Sequence, residues 1–294
     1  MAVGASVTKF AVGDIAGVGC FTDSCRTCEF CKEGEEQYCS GPGGMHGTYG
    51  SNRAEELHPG GYSMGGYSSD IVVDENYTIK VPSKLNVAAA APLLCAGITC
   101  FSPFKNFGVT KGMKVGIAGL GGLGHMGVKI AAAMGAEVTV FTRQESKRAT
   151  ALEMGATNVV VTGDADQLKS AAQSCDFIYN SISAPHDIVM YLNLLKNRGT
   201  MCVVGAPPDP FTTLRSGTLL GRGLNLQGSL IGGIRQTQEM IDFCAEHDIL
   251  CEIELIPAEA GAVDVAWDRT LKADVKYRFV IDTAATMVCG EAKE

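Results

Sequence analysis

The rhythm of apolar and polar positions changes at Lys114. Lys114 to Ala118 is a short, largely apolar run that ends on a glycine-rich turn. Its brevity and the turn beside it predict a buried strand. His125 to Met134 then carries small apolar residues and stops at Gly135, which predicts a helix with a glycine stop. Glu137 to Thr142 reads as the next strand, and Ser146 as the cap of a helix running to Met154 and halted by Gly155. Further strands are predicted at Asn158 to Val161, Asp176 to Asn180, Thr200 to Gly205 and Leu224 to Ser229. Helical segments near 164–173 and 186–196 separate the first of them. Strands alternating with helices predict a parallel, doubly wound sheet with right-handed crossovers.

The flanking stretches have another texture. Residues 40–70 are rich in Gly, Ser, Tyr and His and predict loops around one short strand. Beyond Gly233, Gln236 to His247 is an amphipathic helix, and Glu252 to Ile256 and Tyr277 to Ile281 read as strands of a different lobe. The expected organisation is one lobe built from both ends, residues 1–90 and 234–294. An α/β domain, 91–233, is inserted between them. A chain of 294 residues suits two such domains.

Charge and composition narrow the function. Hydrophobic residues make up 46% and charged residues 19%, as in a globular enzyme. The formal net charge of −8 and the lack of a basic stripe argue against a nucleic-acid partner. The stretch Val87 to Thr99 is too short to span a membrane and is broken by Pro92. Met1 to Ala16 lacks a basic region followed by an apolar run, so no secretory signal is expected. Twelve cysteines in that setting suit reduced thiols and a metal site in a cytoplasmic protein, with a disulfide framework as the alternative.

Four of those cysteines are regularly spaced, as Cys25-x2-Cys28-x2-Cys31-x7-Cys39. Tight pairs of this kind let two thiolates reach one tetrahedral ion from a single turn of backbone. Four thiolates fill the coordination sphere and leave no position for water or substrate. A structural zinc is therefore expected, in a lobe of about residues 20–40.

The glycine turn has chemistry of its own. Lys114 to Gly124 reads KVGIAGLGGLG, which gives Gly119-x-Gly121-x-x-Gly124 with Gly122 and Leu123 inside it. A lone pattern of this kind says little. Here it follows a predicted strand and opens a predicted helix, the context in which it binds a dinucleotide. Gly119 permits the turn, Gly121 lets a pyrophosphate approach, and Gly124 allows close packing of helix on strand. A flexible glycine loop is the bland alternative. At the end of the second strand an NAD site usually carries Asp or Glu. This chain has Thr142 and Arg143, with Ser146, Lys147 and Arg148 following. A hydroxyl and cations suit a 2′-phosphate and favour NADP; alternatively, Lys147 and Arg148 form a solvated helix face.

Taken in order, these residues resemble a known family. The stretch from Cys20 to Cys39, GGYS at Gly65 to Ser68, APLLCAGIT at Ala91 to Thr99, GLGGLGHMG at Gly119 to Gly127 and DVKYRFVID at Asp274 to Asp282 are similar to the zinc-dependent medium-chain dehydrogenases. The cinnamyl-alcohol-dehydrogenase-like, NADP-dependent branch is the nearest. The resemblance implies a Rossmann domain inserted in a GroES-like, β-rich catalytic domain, in a cytoplasmic homodimer. It implies reversible hydride transfer between NADP(H) and a primary alcohol or aldehyde, at a catalytic zinc. Cys95 would be one ligand of that zinc, and Thr99 would lie near the nicotinamide. Asn180, Ser181, Val204, Gly205, Ala206, Ser229 and Ile231 would line the cofactor cleft. Members of the family also carry an N-terminal segment with a Cys-His pair and a Gly-His-Glu motif, and Met1 falls after that point. His46, His58, His125, His186 and His247 do not replace those ligands by motif and read as structural or surface residues. The second functional expectation is accordingly a truncated, catalytically silent protein that binds NADP and one zinc.

Overall fold

The computed structural model describes residues 2–52, 61–68 and 70–283, so His58 lies outside the described residues. The chain divides into two compact units. One comprises residues 1–95 and 232–294, the other 96–231.

The first unit begins with short antiparallel pairs. Strand β1 (Ala16–Val18) pairs with β6 (Thr78–Lys80), β2 (Phe21–Asp23) with β3 (His46–Gly47), and β4 (Tyr49–Asn52) with β5 (Tyr62–Met64). Among the described residues of 40–70 there are thus three short strands rather than the one expected. The strands are only two to four residues long, which leaves no run long enough to show alternation. Phe21 and Tyr77 are both buried and meet edge to face, with ring centres 6.0 Å apart. The Tyr77 hydroxyl lies 2.7 Å from Ser24 Oγ, and Ser24 Oγ lies 3.1 Å from Cys31 Sγ. A hydrogen-bonded path therefore runs from this small core into the cysteine loop.

The C-terminal part of the same unit contains the helix Ile234–Glu246, then β13 (Ile253–Pro257), the crossover helix Ala260–Leu271, and β14 (Arg278–Asp282), parallel to β13. The Glu36 carboxylate accepts from the Ile234 N–H at 3.1 Å, and Arg235 donates to the Glu33 carbonyl at 2.8 Å. The cysteine loop thereby satisfies one free N–H group at the start of a thirteen-residue helix and is tied to its first turn by a side chain.

The second unit opens with the helix Ala96–Asn106. It then builds a six-stranded parallel sheet from β7 (Lys114–Ala118), β8 (Glu137–Thr142), β9 (Asn158–Val161), β10 (Cys175–Asn180), β11 (Leu195–Val203) and β12 (Asn225–Gly228). The strand order is β12-β11-β10-β7-β8-β9. That order reverses direction at β7, where a doubly wound sheet forms its ligand crevice beyond the carboxyl ends of the strands. The strand interiors are apolar because both faces are covered. Val115, Ile117, Val140, Phe177 and Ile178 are almost wholly buried. The helix Gly124–Ala133 follows the glycine turn, and Cys100 on the opening helix donates toward the Leu123 carbonyl at 3.4 Å.

The expected helix near 186–196 is shorter, Ile188–Leu192. Asp187 Oδ1 accepts from the Val189 N–H at 3.0 Å and starts it late, while Leu195 already belongs to β11. No single helix among the described residues is long and apolar enough to cross a membrane.

Candidate functional site

The glycine turn lies between β7 and the helix Gly124–Ala133. Gly119 has φ of +88°, a left-handed conformation that β-branched or bulky side chains resist. The position of Gly124, at the first turn of the following helix, lies directly against the Gly119 carbonyl, so any side chain there would collide with backbone. Gly121 faces open space, which leaves room for a group to approach the backbone. The N-terminus of the helix Gly124–Ala133 opens at the same point and offers N–H groups to phosphate.

The end of β8 separates two neighbouring cations. Lys147 Nζ donates to the Leu120 carbonyl, inside the glycine turn, at 2.9 Å. Burial lowers the pKa of its ammonium, and the positive charge of Arg143 adds to that. Arg148 does different work. It grips the Glu145 carboxylate with two nitrogens, donates to the Val159 carbonyl at 2.7 Å and reaches Gln167 Oε1 at 3.3 Å. Arg148 is thus part of the frame, while Lys147 turns to the loop instead of forming a solvated face. Thr142 is buried, and its hydroxyl oxygen accepts from the Gln144 N–H at 3.2 Å. Arg143 is exposed.

Beyond β10 and β11 the chain makes the far wall. Asn180 is fully buried, and its carbonyl accepts from the N–H groups of Val204 and Gly205 at 2.9 and 3.1 Å. Ser181 donates from backbone and hydroxyl to the Ala118 carbonyl at 3.1 and 3.0 Å. The Ser229 N–H donates to the Val203 carbonyl at 3.3 Å. Ile231 holds φ of +37°, an unusual conformation for a β-branched residue. Ala206 follows Gly205 and is exposed at this end of the sheet.

In the first unit the four cysteines converge. Every pair of sulfurs among Cys25, Cys28, Cys31 and Cys39 lies within 4.8 Å, with Cys25 to Cys31 at 3.9 Å and Cys28 to Cys39 at 4.0 Å. Four thiolates about 2.3 Å from one tetrahedral ion would lie about 3.8 Å apart, so the set fits zinc. Backbone N–H groups of Cys28 and Cys25 point at the sulfurs of Cys25 and Cys39 at 3.3 and 3.4 Å. The N–H of Cys31 is the main cause holding the Cys28 thiol down to about 5. These donors favour the thiolates that zinc requires.

Cys95 is exposed, and its thiol is hydrogen-bonded to that of Cys20, a partner the sequence reading missed. That bond, with help from the charge of Arg278, holds Cys95 down to about 6, while Cys20 is pushed up chiefly by the same contact. Among the described residues no group of three possible ligands includes Cys95. Two thiols fall short of the three protein ligands that a catalytic zinc takes. Thr99 is buried in the helix Ala96–Asn106.

Comparison with known proteins gives this arrangement a context. Residues 1–83 match the model of the alcohol dehydrogenase GroES-like domain, and residues 122–246 that of zinc-binding dehydrogenases. An aldehyde reductase of Escherichia coli, YahK, is 48% identical over 284 residues, covering 96% of this chain and 79% of that protein. The chain belongs to the zinc-binding alcohol dehydrogenase family. It is an oxidoreductase of the medium-chain, cinnamyl-alcohol-dehydrogenase-like type. NADP-dependent alcohol dehydrogenase C 1 of Mycolicibacterium smegmatis is 49% identical over 283 residues, covering 96% of this chain and 79% of its own length. A cinnamyl alcohol dehydrogenase from Sorghum bicolor superposes with a TM-score of 0.88 at 43% identity, covering 96% of this chain and 78% of its own. The enzyme from Helicobacter pylori, solved in complex with NADP(H), gives 0.85 at 44% identity, covering 95% and 78%. The Rossmann and GroES-like architecture follows from these matches and from the six-stranded sheet.

Proposed function

We propose that this dehydrogenase transfers hydride between NADP(H) and a primary alcohol or its aldehyde, with the cofactor's 2′-phosphate read at the end of β8. One observation carries the cofactor choice. The first carboxylate after that strand, Glu145, is held by Arg148, while Lys147 donates into the glycine turn and the charge of Arg143 acts on it. A 2′-phosphate meets cations there, and the ribose hydroxyls of NAD meet no free carboxylate.

In this reading the turn Gly119 to Gly124 and the helix that follows hold the pyrophosphate. Asn180, Ser181, Val204, Gly205, Ala206, Ser229 and Ile231 shape the wall against the nicotinamide half, and Thr99 stands near the ring. NADP(H), when bound, supplies or accepts the hydride. The four-cysteine zinc stiffens the loop that seats the helix Ile234–Glu246 and takes no part in the chemistry, since its coordination is complete. Cys95 is the residue proposed to face the catalytic metal.

A homodimer in the cytoplasm fits the same reading. Among the described residues strand β12 is paired only with β11, an edge that could take a second copy, and a thiol-rich chain suits a reducing compartment. Aldehyde reduction by the purified protein, assayed with NADPH and NADH, tests the proposal. A preference for NADPH of at least about tenfold in kcat/KM is expected. Equal use of both cofactors would remove the assignment of Thr142, Arg143 and Lys147.

A further inference from the structure

His186 sits just past the wall of the cofactor cleft and is fastened on both ring nitrogens. Its Nδ1 lies 2.9 Å from the Ala184 carbonyl and its Nε2 lies 2.9 Å from Asn180 Nδ2. The Asn180 amide is oriented by its other end, because Oδ1 accepts from the Ile182 N–H at 3.1 Å. The NH2 group therefore faces the imidazole. A carbonyl on one side and an amide donor on the other define one state of the ring: neutral, with its proton on Nδ1.

The ring is also clamped across its faces. Tyr191 and Phe211 meet it edge to face, with centres at 5.8 and 5.5 Å. The neighbouring carboxylate, Asp187, is occupied elsewhere, accepting from the Val189 N–H and from the Thr213 hydroxyl at 3.0 and 2.9 Å.

The segment that His186 braces, 180–184, is the one that touches both glycine-bearing strand ends. Ile182 closes off the space beside both glycines: a Cβ placed on Gly119 would come within 3.1 Å of the Ile182 side chain, and one placed on Gly205 would collide with the Ile182 backbone. A shift of this segment would move the turn and the far wall together. We infer that His186, as the neutral Nδ1–H tautomer hydrogen-bonded to Asn180 and Ala184, is a positioning residue that holds the 180–184 wall in its NADP(H)-binding shape. The inference rests on the cofactor reading above and adds to it a residue outside the cleft itself.

Two variants separate positioning from mere folding. His186→Phe keeps an aromatic ring between Tyr191 and Phe211 and loses both hydrogen bonds. His186→Gln keeps an acceptor that reaches Asn180 Nδ2. NADPH titrations by nicotinamide fluorescence, with steady-state kinetics, are expected to show about a tenfold weaker Kd and higher KM for NADPH in His186→Phe. Its kcat at saturating cofactor should stay within about twofold of wild type, and His186→Gln should recover most of the loss. Wild-type affinity in His186→Phe, or a His186→Gln as weak as His186→Phe, would overturn the inference while leaving the cofactor reading intact. Failure of the wild-type protein to bind NADPH would remove the reading and the inference together.

Discussion

The ammonium of Lys147 donates to the main-chain carbonyl of Leu120 at 2.9 Å, tying the segment after β8 to the middle of the glycine turn. In the proposed cofactor reading this cation meets the 2′-phosphate, and burial has already partly stripped it of water. Replacing it with alanine should weaken NADPH binding by about tenfold, because a charge-assisted hydrogen bond is lost. NADH binding should change by less than about threefold, since NADH has no phosphate there for the side chain to meet. Paired titrations of the Lys147→Ala variant with the two cofactors measure the difference, and an equal loss for both would count against the phosphate role.

The adjacent Arg148 gives the opposite expectation. Its guanidinium is spent on Glu145, Val159 and Gln167. Arg148→Ala should lower the melting temperature of the protein and move the Kd for NADPH by no more than about twofold, as expected of a partly exposed ion pair. A large loss of NADPH affinity with an unchanged melt would mean that the two cations have been assigned the wrong way round.

That contrast shows where sequence reading stops. Strands β7, β8 and β9 lie on the residues their apolar runs and glycine stops marked out, since local pattern and burial agree there. The cysteine spacing predicted the convergence of Cys25, Cys28, Cys31 and Cys39, because a tight loop leaves such residues few other arrangements. Lys147 and Arg148 are neighbours of like charge, and only the direction each side chain takes separates their work. The clamp on His186 joins Asn180, Ala184, Tyr191 and Phe211, and the thiol pair joins Cys20 with Cys95. Contacts of this kind depend on how turns bring distant residues together, and hydrophobic periodicity carries no record of them.

Acid should weaken the first unit through Asp74. Its carboxyl is held below the usual range mainly by the Asn76 N–H, with Arg26 as a further cause, and it pairs with Arg26 at 2.8 Å. A pKa lower in the folded than in the unfolded chain contributes stability that is complete above the unfolded value of about 3.9. That stability is lost as the pH falls through the folded value. Asp74→Asn should therefore melt below the wild type at pH 7 and converge with it as the pH falls through the lowered folded value. A gap that stayed constant over this range would show that the charge of Asp74 has no part in it.

Zinc should hold the cysteine loop and, through it, the start of the helix Ile234–Glu246. Gly41 lies so close to Cys25 that a methyl group there would overlap the sulfur and its Cβ. Gly41→Ala must push Cys25 outward, away from the roughly 3.8 Å spacing that tetrahedral zinc demands. The zinc affinity should fall roughly tenfold to a hundredfold, the range seen when the surroundings of a metal ligand are disturbed. The same loop carries Glu36, which accepts from the Ile234 N–H, so loss of the metal should also lower the melting temperature. Competition with a chromophoric chelator, followed by thermal melts of loaded and stripped protein, reads both effects. If Gly41→Ala kept zinc as tightly as the wild type, the loop would be looser than the sulfur distances imply. If stripping the metal left the melt unchanged, the link from cysteine loop to helix would carry no stability.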